Sequence, residues 1–318
     1  AAGDQVSVKN RPVCQRKDTT MTSLQSKLMR LYVRYTASKS DPDQSVPEKR
    51  AKLERDAEGI VRMPRGVSVR SLQAGNVPAE WHEPDAARKE TAILYLHGGS
   101  YIVGSPRTHR GLAGNIALAG RSPTLVVDYR LAPENPFPAA LDDALSAYAW
   151  LREHGFASQH IVIGGDSAGG GLAIAAAVAL RERGISLPAA LFCISPWTDL
   201  TGSGESIRTR AAADPWLKAS ELTDEAKKYY GKNAPDHPLI SPLFADMRGL
   251  PATLIHVGDD EILLSDSTRL EEKMKAAGVD VTLEIWPGMW HVWHAFAPYI
   301  PEARLAIERI GTYILKYT

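Results

Sequence analysis

The pentapeptide Gly165-Asp166-Ser167-Ala168-Gly169 is the first place where residue types and spacing in this chain could do chemistry. An apolar run at 160–164 precedes it, and an alanine-rich run at 170–180 follows it. A strand that turns sharply into a helix around Gly-x-Ser-x-Gly lifts the serine hydroxyl out of the sheet. The flanking glycines let strand and helix approach where a Cβ would collide. A serine hydroxyl is a poor nucleophile at neutral pH, so it needs a base, an acid to orient the base, and donors for the oxyanion. The chain offers candidates for each. His97-Gly98-Gly99-Ser100-Tyr101 follows the apolar run 91–96, so Gly98 and Gly99 can supply backbone N–H groups, with Ala168 as a third donor. An ordinary glycine-rich turn would look the same. The run 252–257 ends in Gly258-Asp259-Asp260-Glu261, three adjacent carboxylates of which any could be the acid. Acidic residues are also favoured at a helix N-terminus for electrostatic reasons alone. His291 and His294 follow the run 279–286, where a base would fall in the order serine, acid, histidine.

These groups need elements to position them. Residues 91–96 and 124–127 are short continuous apolar runs, as strands buried on both faces are, and further strands are read at 160–164, 189–194 and 252–257. Residues 67–72 and 279–286 complete the strands. Helical spacing over 24–35, 46–57, 107–118, 139–151, 170–180, 265–277 and 301–317 places helices around them. The alternation predicts an α/β fold with a mostly parallel central sheet and helices on both faces, reacting groups sitting at the strands' carboxyl ends. Residues 197–242 break the rhythm. They are polar and proline-punctuated, with a helix-like stretch at 221–230, and read as a cap insertion. The expected domains are a core over 61–196 and 243–318, a cap from 21–60 and 197–242, and a disordered or cloning-derived extension over 1–20, with Met21 as the natural start.

Bulk composition narrows the function classes. Lys+Arg and Asp+Glu balance at 37 each, so no net charge attracts nucleic acid or an anionic membrane. The apolar stretch at 171–180 is far short of the roughly 20 residues a bilayer span needs. Cys14 and Cys193 make neither a disulfide framework nor a metal-ligand spacing. A reducing cytoplasm, no metal and no cofactor are the resulting expectations.

Taken together, His97-Gly98-Gly99, the segment Asp128-Tyr129-Arg130-Leu131-Ala132-Pro133-Glu134, the elbow around Ser167, Asp260 and His291 resemble the bacterial hormone-sensitive-lipase-like esterases of the α/β-hydrolase superfamily. The resemblance runs from about His97 to the C-terminus. It implies an α/β-hydrolase fold with a helical cap and a Ser167–His291–Asp260 triad. The family's acid is followed by a leucine-containing segment and another aspartate, which favours Asp260 over Asp259; a branched residue and an aromatic after the histidine favour His291 over His294. The family usually carries a third glycine where this chain has Ser100. Arg130 and Glu134 are expected to brace loops around the elbow.

The implied activity is a carboxylesterase acting on short- to medium-chain acyl esters through an acyl-enzyme. Ser100, Tyr101, Trp197, Trp216 and Trp290 are the expected substrate-binding residues. The alternatives are a non-catalytic small-molecule receptor of the same fold, and an amidase or carbamate hydrolase with the same triad. The expected partners are the small-molecule ester and, by family habit, a second copy joined through the last strand and terminal helix.

Overall fold

A computed structural model describes residues 22–39, 41 and 44–318. The expected extension over 1–20 and the start at Met21 lie outside the described residues.

Two N-terminal helices come first. In α1 (Leu24–Ser38) the Ser23 hydroxyl caps the first turn by accepting the Ser26 N–H at 3.1 Å. In α2 (Val46–Ile60) Ser45 and Glu48 form a capping box, with Pro47 in the first turn. The core then alternates: β1 (Val67–Ala74), β2 (Val77–Pro84), β3 (Ala92–Leu96), α3 (Pro106–Gly120), β4 (Thr124–Val127), α4 (Ala139–Glu153), β5 (Ile161–Asp166), α5 (Ala168–Glu182) and β6 (Ala190–Ile194). The short α6 (Ser206–Thr209) and α7 (Ala219–Tyr230) fill the connection to β7 (Ala252–Gly258). The chain closes with α8 (Leu264–Ala276), β8 (Val281–Trp286) and α9 (Pro301–Tyr317).

The eight strands form one sheet in the order β1-β2-β4-β3-β5-β6-β7-β8. β2 is antiparallel to both β1 and β4, and the pairs from β4 to β8 are parallel. β2 has no counterpart in the sequence reading. Its two prolines and mixed polarity hide it, although the two-residue Gly75-Asn76 link between Ala74 and Val77 is a hairpin signal.

Alternation along the strands separates two cores. Leu94, Leu96, Ile163, Leu191, Cys193 and Ile255 face one side, with apolar residues of α4, α5 and α8. Ile93, Tyr95, Val162, Phe192, Ile194 and Leu254 face the other, with α3 and α9. These strands are buried on both faces, as their unbroken apolar runs require. Helices thus clamp the central strands, and the loops at their carboxyl ends are held from below.

The N-terminal helices and the β6–β7 connection meet above those loops. Lys49 of α2 pairs with Glu225 of α7 at 3.3 Å. Arg50 donates to the Ile102 carbonyl, the Ala132 carbonyl and Glu134. From α1, Arg30 donates to the Ala213 carbonyl at 2.6 Å and Arg34 donates to the Ala212 and Ala213 carbonyls.

Candidate active site

Ser167 sits between the last residue of β5 and the first of α5, at φ 53°, ψ −121°. This left-handed geometry is costly for a non-glycine residue. It is held by the Ser167 N–H donating to the Ile194 carbonyl at 2.8 Å and by the Trp197 and Gly171 N–H groups donating to the Ser167 carbonyl. Gly169 permits the turn: a Cβ there would lie 2.0 Å from the Leu96 carbonyl oxygen.

His291 reaches Ser167 from the loop after β8. Its Nε2 is 2.9 Å from Ser167 Oγ, and its Nδ1 is 2.7 Å from Glu261 Oε2. A carboxylate oxygen only accepts, so Nδ1 carries the proton and Nε2 presents its lone pair to the serine hydroxyl. Burial alone would lower the pKa of His291. The hydrogen bond and charge of Glu261, with Asp214 and Asp166 nearby, outweigh it and raise the pKa above 6.5.

The carboxylate beside His291 is therefore Glu261, and the expectation for Asp260 is corrected. Each of the three adjacent carboxylates faces a different partner. Asp259 accepts the Gly288 N–H at 2.6 Å and braces the turn after β8. Asp260 points outward into an ion pair with Arg30 of α1. Glu261, fully buried, turns inward. Its Oε1 accepts the Gly258 N–H at 2.7 Å and the Ser195 hydroxyl at 2.8 Å, leaving Oε2 for His291. Ser195 also accepts the Val292 N–H at 3.1 Å, so one hydroxyl ties the acid loop to the histidine loop. Asp214 fastens the far side, accepting the Ile262, Trp216 and Leu217 N–H groups. His294 is buried against His256 at 3.1 Å, away from the serine.

The glycine turn after β3 is partly as expected. The Gly98 N–H is already committed, donating to Asp166 Oδ1 at 3.1 Å, so Gly98 is a brace rather than a free donor. Among the described residues, the N–H groups of Gly99, Ser100 and Ala168 find no acceptor. Gly99, Ser100 and Tyr101 all take positive φ (117°, 53° and 64°). Successive N–H groups in such a turn form an anion-binding concavity. Asp166 anchors the turn from below through the Tyr95 hydroxyl at 2.6 Å and His109 Nε2 at 3.5 Å. His97 stacks on Tyr129 at 4.2 Å, and the Tyr129 hydroxyl donates to the His97 carbonyl at 2.7 Å.

The expected binding aromatics divide. Trp216 lies at the rim, 39% exposed, with its ring edge-on to His291 at 6.3 Å. Trp197 and Trp290 are buried in the core, so the structure does not bring either to an open surface. Tyr101 is buried and stacks on Tyr229 at 3.6 Å. Arg130 and Glu134 do brace: Arg130 grips Asp143 in two-pronged fashion and Glu134 pairs with Arg50. Ser195, Asp214, His109 and Arg30 escaped the sequence reading. Isolated serines, acids and bases far apart in the chain carry no spacing signal.

Residues 93–295 match a family described as the alpha/beta hydrolase fold. An acetyl-hydrolase of Streptomyces hygroscopicus is 46% identical over 76% of this chain and 81% of its own length. An esterase of Acinetobacter venetianus is 36% identical over 78% of this chain and 82% of its own. Among solved structures, an esterase of the bacterial hormone-sensitive lipase family superposes with a TM-score of 0.90 at 43% identity, covering 93% of this chain and 98% of that one. With the sheet order, the elbow and these likenesses, the chain belongs to the α/β-hydrolase family and, within it, to the bacterial hormone-sensitive-lipase-like esterases.

Proposed function

We propose that the protein is a carboxylesterase hydrolysing short- to medium-chain acyl esters through an acyl-enzyme on Ser167. The unbroken chain Ser167 Oγ–His291 Nε2, His291 Nδ1–Glu261 Oε2 carries this reading. His291 takes the hydroxyl proton as Oγ attacks the ester carbonyl. Glu261 holds the tautomer and stabilises the imidazolium. The N–H groups of Gly99, Ser100 and Ala168 receive the oxyanion. His291 then protonates the leaving alcohol, and in the second half-reaction it activates the water that releases the acid. Ser167 is 6% and His291 4% exposed, so the reacting atoms lie recessed under Trp216, which suits compact acyl groups. The helices α1, α2 and α7 act as the cap above them. A receptor would have no use for a histidine bonded to both serine and carboxylate.

We further assign the enzyme to the cytoplasm, on its sparse cysteines; no described helix is long and apolar enough to cross a membrane. A homodimer would use the β8 edge and α9, where Ile285, Leu305 and Leu315 are exposed.

The test is rapid mixing with p-nitrophenyl esters of increasing acyl length. The wild type should release a burst of nitrophenol equal to the enzyme present and prefer short to medium chains. Ser167→Ala should lose the burst and turnover while keeping its fold. Retained turnover in Ser167→Ala overturns the proposal.

A further inference from the structure

The helix α1 is amphipathic in an unusual sense, because its apolar stripe faces outward. Val33 and Ser26 are buried against the body, and Glu302 of α9 accepts from the Ser23 and Ser26 hydroxyls. Leu24, Leu28, Leu31 and Tyr35, with Tyr32 beside them, fall on the opposite face at helical spacing. They are 69%, 58%, 62%, 58% and 47% exposed. These five are the densest run of exposed large apolar residues along the described sequence, the others lying nine or more residues apart. A contiguous exposed apolar patch marks a contact surface.

The charges on this helix are of one sign. Residues 22–39 contain Lys27, Arg30, Arg34 and Lys39 and no Asp or Glu, giving +4 in a chain of net charge zero. Overall neutrality therefore hides a local basic strip. Arg30 is spent on Asp260 and Ala213 and Arg34 on the Ala212 and Ala213 carbonyls, but Lys27 and Lys39 are exposed beside the stripe. The Lys39 ammonium lies over the Tyr35 ring at 4.2 Å. Leucines and tyrosines flanked by lysine and arginine are the make-up of a helix that lies in a lipid–water interface. Two copies pairing through this stripe would bring like charges together, with no acidic residue on the helix to offset them.

We propose that the outer face of α1 docks the protein on an anionic lipid surface. Leu24, Leu28, Leu31, Tyr32 and Tyr35 enter the interface, and Lys27 and Lys39 pair with lipid phosphates. The same helix reaches the loop at the site mouth from its inner side. Arg30 and Arg34 hold the carbonyls of Ala212 and Ala213, and Trp216 follows three residues later at the edge of His291. The proposal is independent of the ester-hydrolase reading.

The test is co-flotation of the full chain with phosphatidylcholine vesicles, with and without about one third phosphatidylglycerol. The wild type should float with the anionic vesicles at least tenfold more than with the neutral ones, and less as salt rises. Leu28→Gln/Leu31→Gln should lose flotation while hydrolysing a monomeric soluble ester as the wild type does. Lys27→Glu/Lys39→Glu should lose the preference for anionic lipid. Three results overturn the proposal: wild type that floats with neither vesicle, a leucine variant that floats like the wild type, or a concentration-dependent dimer that the leucine variant abolishes while lipid has no effect.

Discussion

Replacing Glu261 and Asp260 one at a time separates two neighbouring carboxylates by their geometry. In Glu261→Gln the side chain keeps its shape but gains two amide hydrogens. Its carbonyl oxygen must face the Gly258 N–H, a fixed donor 2.7 Å away, so its NH2 faces His291 Nδ1. That forces the proton onto Nε2, and the imidazole can no longer accept from Ser167. The wrong tautomer costs a triad enzyme about 10⁴ in kcat, or about 5 kcal/mol of transition-state stabilisation. Glu261→Asp keeps the charge but withdraws it by about 1.5 Å, one C–C bond, and should fall between. In Asp260→Asn only the partly exposed ion pair to Arg30 is lost, worth about 1 kcal/mol or less of stability, and nothing touching His291 changes. Its kcat should stay within about threefold of wild type. Steady-state hydrolysis of p-nitrophenyl butyrate, with thermal unfolding as the folding control, reads all three. An Asp260→Asn enzyme as crippled as Glu261→Gln would refute the assignment.

Other consequences follow from the same geometry. Activity should fall as pH drops through the pKa of His291, because the protonated ring cannot accept from Ser167; the raised pKa puts that midpoint above 6.5 in a kcat/KM profile. Stability should respond differently. Burial lowers His256 to about 3 and holds His294 well below 6.5, so the unfolded chain binds more protons in acid. The stability these neutral rings contribute is present above pH 6.5 and is lost as pH falls toward about 3, measurable as a declining denaturation midpoint that His294→Gln flattens. Asp166→Asn should loosen the turn carrying Gly98 and lower kcat by up to about a hundredfold with little change in KM, through misplaced oxyanion donors. Gly169→Ala should destabilise the fold by about 2 kcal/mol or more, read by chemical denaturation, because its Cβ would overlap the Leu96 carbonyl.

Much of this architecture is legible in the chain. The doubly buried strands announce themselves as apolar runs, and the serine's setting follows from the glycines that let strand and helix meet. The hairpin strand β2 is hidden because its prolines and charges obscure its alternation, and only Gly75-Asn76 betrays it. The acid is misread by one residue for a physical reason. Asp259, Asp260 and Glu261 share one strand end, and which of them turns inward depends on a local backbone turn and on Arg30, 230 residues away. Gly98 is misread similarly: the sequence offers two glycine N–H groups, but the Asp166 carboxylate beneath them claims one. Trp290 is misjudged because adjacency to His291 in sequence places it on the opposite, core-facing side of the same loop.

The proposed hydrolysis rests on Ser167 as a nucleophile activated by His291 and Glu261. Its most direct test is covalent labelling with a fluorophosphonate followed by peptide mapping. One adduct per chain should form, on Ser167, absent in Ser167→Ala and formed far more slowly in Glu261→Gln. A chain that stays unlabelled, or a label on another residue, would contradict it.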